Sequence, residues 1–434
     1  MPGNRAPLRA LQALTVDVSA LRESRDLRML FAGQSISVIG RQITLVAVPY
    51  QVYVLTGSSL AVALLGLVQI VPLVGVGLYA GALADLHDRR RVLLLSQILL
   101  APTSLALAVL ALSSHTPLWP LYVITALAAG FTALEQPTRQ ATIPRLVPRR
   151  QLASAMSLNQ VIFQFGQVAG PVAGGLVIAA AGLRWAYLID VGTYLLAMVA
   201  ISLMAPQPPE GVREPLGVAA PLAGIKYVGK RPILLSIFGA DLLAMIFGMP
   251  RAVFPAMAAT IFRVGPSGLG LLYASPAVGA LLASLFTGWV TRIQRHGRMV
   301  LWSVGVWGAA ITAFGLARWF GLALFFLAVA GAADMLSAVF RNTILQLTTE
   351  DSYRGRVSSL HVMVITGGPR LGDLETGVVA TLVSVPFAVV SGGVACLVGL
   401  AVLGVAVPAL RRYRYDPLAD GQTPAPPTGE GGEP

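Results

Sequence analysis

The chain has 434 residues, 56% of them hydrophobic and only 12% charged, about half the charged share of a soluble domain. Its formal net charge of +12 sits in short turns between apolar runs, not in basic clusters interleaved with aromatics, so nucleic acid is excluded as a partner. Composition therefore predicts an all-α protein with many membrane spans and the lipid bilayer as its surroundings. The one cysteine, Cys396, excludes an intrachain disulfide and reads as a small packed hydrophobe.

In chain order, residues 1–28 carry Arg5, Arg9, Arg22, Arg25 and Arg28 with no apolar core of their own, so they read as a cytoplasmic lead-in and not a cleaved signal. Apolar runs long enough to span follow at 29–55, 60–84, 91–112, 118–139, 155–181 and 184–204. A linker, 205–232, holds Pro206, Pro208, Pro209, Pro215 and the only lysines, Lys226 and Lys230. Six more runs lie at 233–260, 267–291, 298–317, 320–346, 358–383 and 386–409. The chain thus divides into a lead-in (1–28), a bundle (29–204), a linker (205–232), a second bundle (233–410) and a polar, Pro- and Gly-rich tail (411–434) expected to be disordered.

Orientation follows from the basic residues. With the N-terminus inside, Arg184, Arg263 and Arg318 fall outside, Arg41, Arg251 and Arg370 fall within spans, and the rest of the 31 Lys and Arg lie in or beside cytoplasmic segments. Arg341 stands at the border of its span. Positive charge favours the cytoplasm, so both termini are expected inside. The halves also match. VAVPYQVYVLTG and the segment ending GALADLHDRRR have counterparts in AVFPAMAATIFRVG and the segment ending TGWVTRIQRHGR, with Pro49 against Pro255 and Gly81 against Gly288. Arg292 stands where Asp85 stands in the first copy. A near-constant offset is the mark of a parallel repeat.

Charges inside spans cost several kcal/mol unless paired or hydrated. Glu135 and Arg139 are spaced i and i+4, which suits either a local ion pair or a transport role. Arg370 and Asp373, i and i+3, are placed to neutralise each other. Asp190 reads as a cap near the outer surface. Asp334 has no acid or base within one turn and is the leading proton carrier, with Arg41 its counterion or a substrate contact. His87, His115, His296 and His361 are scattered, no Ser/His/Asp set exists, and no phosphate loop is present. The sequence therefore predicts no enzyme, no cofactor and no metal site.

Two motifs carry a family resemblance. Gly81-x-Leu83-Ala84-Asp85 followed by Arg89 and Arg90 resembles the loop after the second helix of the major facilitator superfamily, with Leu86 and Asp88 departing from the usual pattern. Gly166-x-x-x-Gly170-Pro171-x-x-Gly174-Gly175 resembles that superfamily's antiporter motif, a proline-kinked helix whose glycines admit the opposite half. With EQPTRQATIPRLVPRRQLASAMSLNQ and TILQLTTEDSYRGRVSSLHVM, the chain from about Arg25 to Arg412 is similar to the enterobactin and siderophore exporter branch, beside the macrolide and drug efflux branches.

The resemblance implies the major facilitator fold, with twelve helices in two six-helix bundles and spans 1, 4, 7 and 10 around a central cavity. It implies Arg41, Glu135, Asp241, Arg251, Asp334 and Asp373 as the substrate and proton cavity. Asp85, with Arg89 and Arg90, becomes a gate latch that meets the start of span 11, while Gly166, Gly170, Pro171, Gly174 and Gly175 serve gating. The expected function is secondary export of a small amphipathic molecule, a siderophore first, in exchange for protons by alternating access. Drug or macrolide efflux is the alternative, and a non-transporting scaffold or sensor the reading of a different class. The expected location is a bacterial cell membrane, arginine-rich usage fitting a GC-rich bacterial genome.

Overall fold

The structure is a computed structural model that describes residues 19–113, 116–209, 219–285 and 293–414. The lead-in up to 18, Gly288, Arg292, His115 and the tail from 415 lie outside the described residues.

Twelve long helices run α1 Arg25–Thr56, α2 Ser59–Leu86, α3 Arg89–Leu110, α4 Leu118–Leu146, α5 Leu152–Ala181, α6 Leu183–Ser202, α7 Pro232–Phe247, α8 Gly265–Leu285, α9 His296–Leu316, α10 Phe320–Thr348, α11 Arg354–Leu382 and α12 Val385–Ala406. In hydrocarbon no water meets a bare N–H or C=O, so helices that satisfy their own backbone are the stable spanning form. Ten of these elements, and as an eleventh the α7 segment taken through Ile261, contain a stretch long and apolar enough to cross a membrane. The remaining one, α11, is 29 residues long but carries Arg370, Asp373 and Glu375.

Turn chemistry sets the boundaries. Gly57, at φ 63, closes α1 with its N–H on Tyr53 O, and the Ser58 hydroxyl accepts from Ala61 N to open α2. Asp88 accepts from Arg90 N at 2.9 Å and from Gln207 N at 3.0 Å, so it caps α3 and ties the inter-bundle linker to it. The proline-rich linker contains a helix of its own, Ala219–Gly229, packed against α11.

The packing repeats. In the first bundle α2 lies on α4, α3 on α4 and α6, and α1 on α5 and α6; in the second α8 lies on α10, α9 on α10 and α12, and α7 on α11 and α12. This correspondence bears out the parallel repeat. The bundles are joined chiefly by α5 with α8 and α2 with α11, and also where α1 meets α8 and α2 meets the Arg251–Val253 turn. The backbones approach closely where side chains are small. A Cβ on Gly175 would stand 2.6 Å from Pro266 O, and one on Gly377 2.4 Å from Ala63 Cβ. Both contacts lie toward the end opposite the Asp88–Arg91 turn.

The antiporter-like stripe divides between two duties. Added Cβ atoms on Gly166, Gly170 and Gly174 would meet Val38, Gln42 and Ile43, all on α1 of the same bundle. Only Gly175 and the Pro171 carbonyl face α8, where a Cβ on Gly270 would stand 2.3 Å from Pro171 O. The four-residue spacing puts 166, 170 and 174 on one stripe and 171 and 175 on the next. α5 itself is one continuous helix through Pro171.

α7 departs from the unbroken span expected over 233–260. It stops at Phe247, and Gly248, Met249 and Pro250 lead into a 3-10 turn, Arg251–Val253, and a π turn, Met257–Ile261. Proline lacks the N–H an interior turn needs and its ring crowds the preceding turn. Neighbours satisfy the broken ladder: Trp307 Nε1 donates to Gly248 O at 2.7 Å, Tyr273 OH to Arg251 O at 3.2 Å, and Ala252 N to Asp373 Oδ1 at 3.0 Å.

Within the second bundle, a Cβ on Gly279 would stand 1.7 Å from Ala328 O and one on Gly331 1.9 Å from Pro276 O. Gly279→Val is expected to force α8 off α10 and destabilise by about 1–3 kcal/mol. Thermal unfolding of the purified variant checks this, and an unchanged midpoint contradicts the close crossing.

Candidate functional site

The two bundles enclose a chamber of about 370 Å³, lined chiefly by α1 to α6 with contributions from the break after α7 and from α8 and α11. A second cavity of about 180 Å³ lies between α5, the α7 break, α8, α9 and α10, and Arg251 reaches both. Of the four helices the resemblance placed around the centre, α1 and α4 line the larger chamber, α10 the smaller, and the break of α7 both.

Three charged groups hold the first bundle's side. Arg41 Nη1 meets Glu135 Oε2 at 2.7 Å and Arg139 Nη1 meets Oε1 at 2.8 Å. Glu135 is buried, so one carboxylate is shared between two guanidiniums from α1 and α4. The local Glu135–Arg139 pair is therefore real, and Arg41 joins it. Arg41 is not the counterion of Asp334.

Asp190 on α6 is buried in the chamber wall and, among the described residues, has no cation within ion-pair distance. Its Oδ2 accepts from Thr44 Oγ1 on α1 and Ser104 Oγ on α3, both at 2.6 Å. Gly40 makes the room, since a Cβ there would stand 2.6 Å from Asp190 Oδ1. Asp190 is not an outer cap. It ties three helices together, and its three hydroxyl partners, Thr193 included, are the only signal the sequence offered.

The second bundle reverses the arrangement. Arg341 on α10 lies 3.0 Å from Asp241 on α7 and 3.6 Å from Asp334 on its own helix, and His361 Nε2 on α11 lies 3.4 Å from Asp241. One base here stands between two acids. Arg341 is 3% exposed, so although it lies toward the C-terminal end of α10 its side chain is enclosed between the helices. Nε and Nη1 of Arg341 and both oxygens of Asp241 lack hydrogen-bond partners. Charge, more than directed hydrogen bonding, holds this cluster. Asp334, two turns from its base, turns toward the smaller cavity.

Arg370 and Asp373 do not form an ion pair. Asp373 takes the Ala252 N–H instead, and the guanidiniums of Arg251 and Arg370 have no hydrogen bond or ion pair among the described residues. Asp85 pairs with Arg89 at 3.4 Å, Arg89 Nη1 donates to Ala141 O at 2.7 Å, and Arg90 donates to Ser202 O. Among the described residues no hydrogen bond or ion pair joins Asp85 to α11 in this conformation. Among the described residues no group of three or more His, Cys, Asp or Glu stands together as a metal site.

A paired repeat of six-helix bundles around a charged chamber defines a major facilitator transport protein, not an enzyme. Residues 18–427 match the model of the transmembrane secretion effector family, and the chain belongs to that family. It is 29% identical over 413 residues to the enterobactin exporter EntS of Escherichia coli O1:K1 / APEC, covering 94% of this chain and 97% of that one, with the same figures for EntS of Citrobacter koseri. Its fold is similar to a POT family transporter in complex with 5-aminolevulinic acid, at TM-score 0.73 and 11% identity over 90% of this chain and 97% of that one. It is also similar to a bacterial homologue of the iron transporter ferroportin in an inward-facing state, at TM-score 0.68 and 17% identity over 89% and 99%.

Glu135→Ala would leave Arg41 and Arg139 buried without their shared anion. A loss of about 3–5 kcal/mol is expected, partly recovered in the double variant with Arg139→Gln. Asp190→Asn, which keeps an acceptor for Thr44 and Ser104, is expected to cost less than Asp190→Ala, at about 1–3 kcal/mol for the latter. Thermal denaturation of the four purified variants checks both orders.

Proposed function

We propose that the protein exports a small amphipathic molecule, a siderophore in the first instance, by alternating access in exchange for protons. The observation that carries this reading is the chamber between the bundles, lined by ionised groups and apolar side chains together. A scaffold has little use for intramembrane charges that each cost free energy to bury. The substrate class draws on the near full-length likeness to the enterobactin exporters.

In this reading the Asp88–Arg91 turn faces the cytoplasm and both termini lie inside, as the excess of arginine there favours. The glycine contacts between α5 and α8 and between α2 and α11 then lie toward the outer side, and the structure corresponds to a state closed outside. Asp85, unengaged with α11, is free to latch the inner gate when the bundles rock. Asp334 suits the proton role best, since it faces a cavity and shares its only close base with Asp241. A proton arriving there releases Arg341 to Asp241 alone and biases the return step.

The test is mass spectrometry of cells and medium, with and without the protein, under iron limitation. Retention of a siderophore in cells lacking it is expected, and an unchanged distribution moves the substrate to toxic amphipathic drugs. Asp334→Asn is expected to lose dependence on the pH gradient in proteoliposomes. Normal, gradient-dependent export by that variant removes Asp334 from the cycle.

A further inference from the structure

The unpaired arginines of the chamber identify the kind of substrate it takes. Arg251 and Arg370 both line the larger chamber, and neither guanidinium has an acid within ion-pair reach among the described residues. Elsewhere in the interior, arginine is met by carboxylate: Arg41 and Arg139 share Glu135, and Arg341 faces Asp241. Asp373, on the same helix as Arg370, accepts the Ala252 N–H through Oδ1 and stands beyond ion-pair distance of both arginines, leaving one nearby carboxylate for two cations. Around the whole chamber four arginines face three carboxylates, Glu135, Asp190 and Asp373, so its lining carries an excess of positive charge.

The placement is built into the fold. The α7 break puts Arg251 at the first position of a 3-10 turn, its carbonyl held by Tyr273 OH. Arg370 follows Pro369 on α11 and reaches toward α2, where Gly66 makes space; a Cβ there would stand 3.3 Å from Arg370 Cδ. Both side chains are half-buried and line the chamber, and guanidinium N–H groups suit an oxyanion. A half-buried cation with no acid at ion-pair distance gains from a bound anion.

We infer that Arg251 and Arg370 form an oxyanion subsite, and that the transported molecule is an amphipathic acid whose anionic group seats there while its apolar body lies against the α1–α4 side. The inference rests on the transport reading above and specifies the substrate's chemistry within it.

Salicylate and its uncharged amide, salicylamide, share one aromatic body and serve as probes. Their binding to the purified full-length protein in nanodiscs is measured by calorimetry. Salicylate is expected to bind about 10-fold tighter than salicylamide. Arg251→Gln or Arg370→Gln is expected to erase that ratio, and Arg251→Lys to keep part of it. Salicylate that binds no tighter than the amide, or not at all, overturns the subsite, as does a ratio unchanged in both Gln variants. The wild-type comparison stands whether or not a variant folds. Siderophore retention in deleted cells together with equal binding of the two probes defeats the subsite alone. Preference for the acid with unchanged siderophore distribution defeats the siderophore reading alone.

Discussion

Glu135 between Arg41 and Arg139 embodies the constraint on which this interior depends. A charge within a bilayer span is tolerated when another group meets it, and the protein meets its charges by sharing. One carboxylate serves two guanidiniums in the first bundle, and one guanidinium serves two carboxylates in the second. These links run between α1 and α4 and between α7, α10 and α11, helices that apolar packing alone would leave free to rotate. Asp190 shows a neutral version of the same solution, with hydroxyls from α1 and α3 in place of a cation.

The repeat carries opposite charge on equivalent elements. α1 and α4 bring base, acid and base; α7 and α10 bring acid, acid and base. The acidic cluster of the second bundle stands away from the larger chamber, where that bundle presents Arg251, Arg370 and Asp373. The break in α7 adds a second asymmetry. It turns Arg251 into the space where the unbroken α1 presents ordinary helix, and it is possible because Trp307, Tyr273 and Asp373 take over the hydrogen bonds that the helix gives up.

The twelve helices were legible in the sequence as long, mostly apolar runs parted by short polar turns, whereas the caps that end them, Gly57, Ser58 and Asp88, emerged only in the structure. The glycine stripe of α5 was legible as a site of close approach, but not the division of its glycines between α1 and α8, which depends on how the helix is rotated. The ion pairs were mostly hidden. Arg41 finds Glu135 across 94 residues, and Asp190 finds Ser104 across 86. Spacing along one helix reveals partners at i+3 or i+4 only, which is why Glu135–Arg139 was visible, the partners of Arg341 were not, and Arg370–Asp373 looked like a pair. The stop in α7 had its signal in Gly248 and Pro250, outweighed by the apolar run around them.

Toward the end opposite the Asp88–Arg91 turn the seam between α5 and α8 is backbone on backbone, while further along Gln164 Nε2 of α5 donates to Ala277 O of α8 at 3.2 Å. Where Gly175 meets Gly270, parting the two glycines asks no rotamer of theirs to change and uncovers little apolar area. Such a joint is close without being interlocked: it resists compression but offers small resistance to separation or sliding. The energetic difference between the two ends of a rocking motion then falls to the ionised groups and the α2–α11 contact, and the seam sets the path of the motion more than its direction.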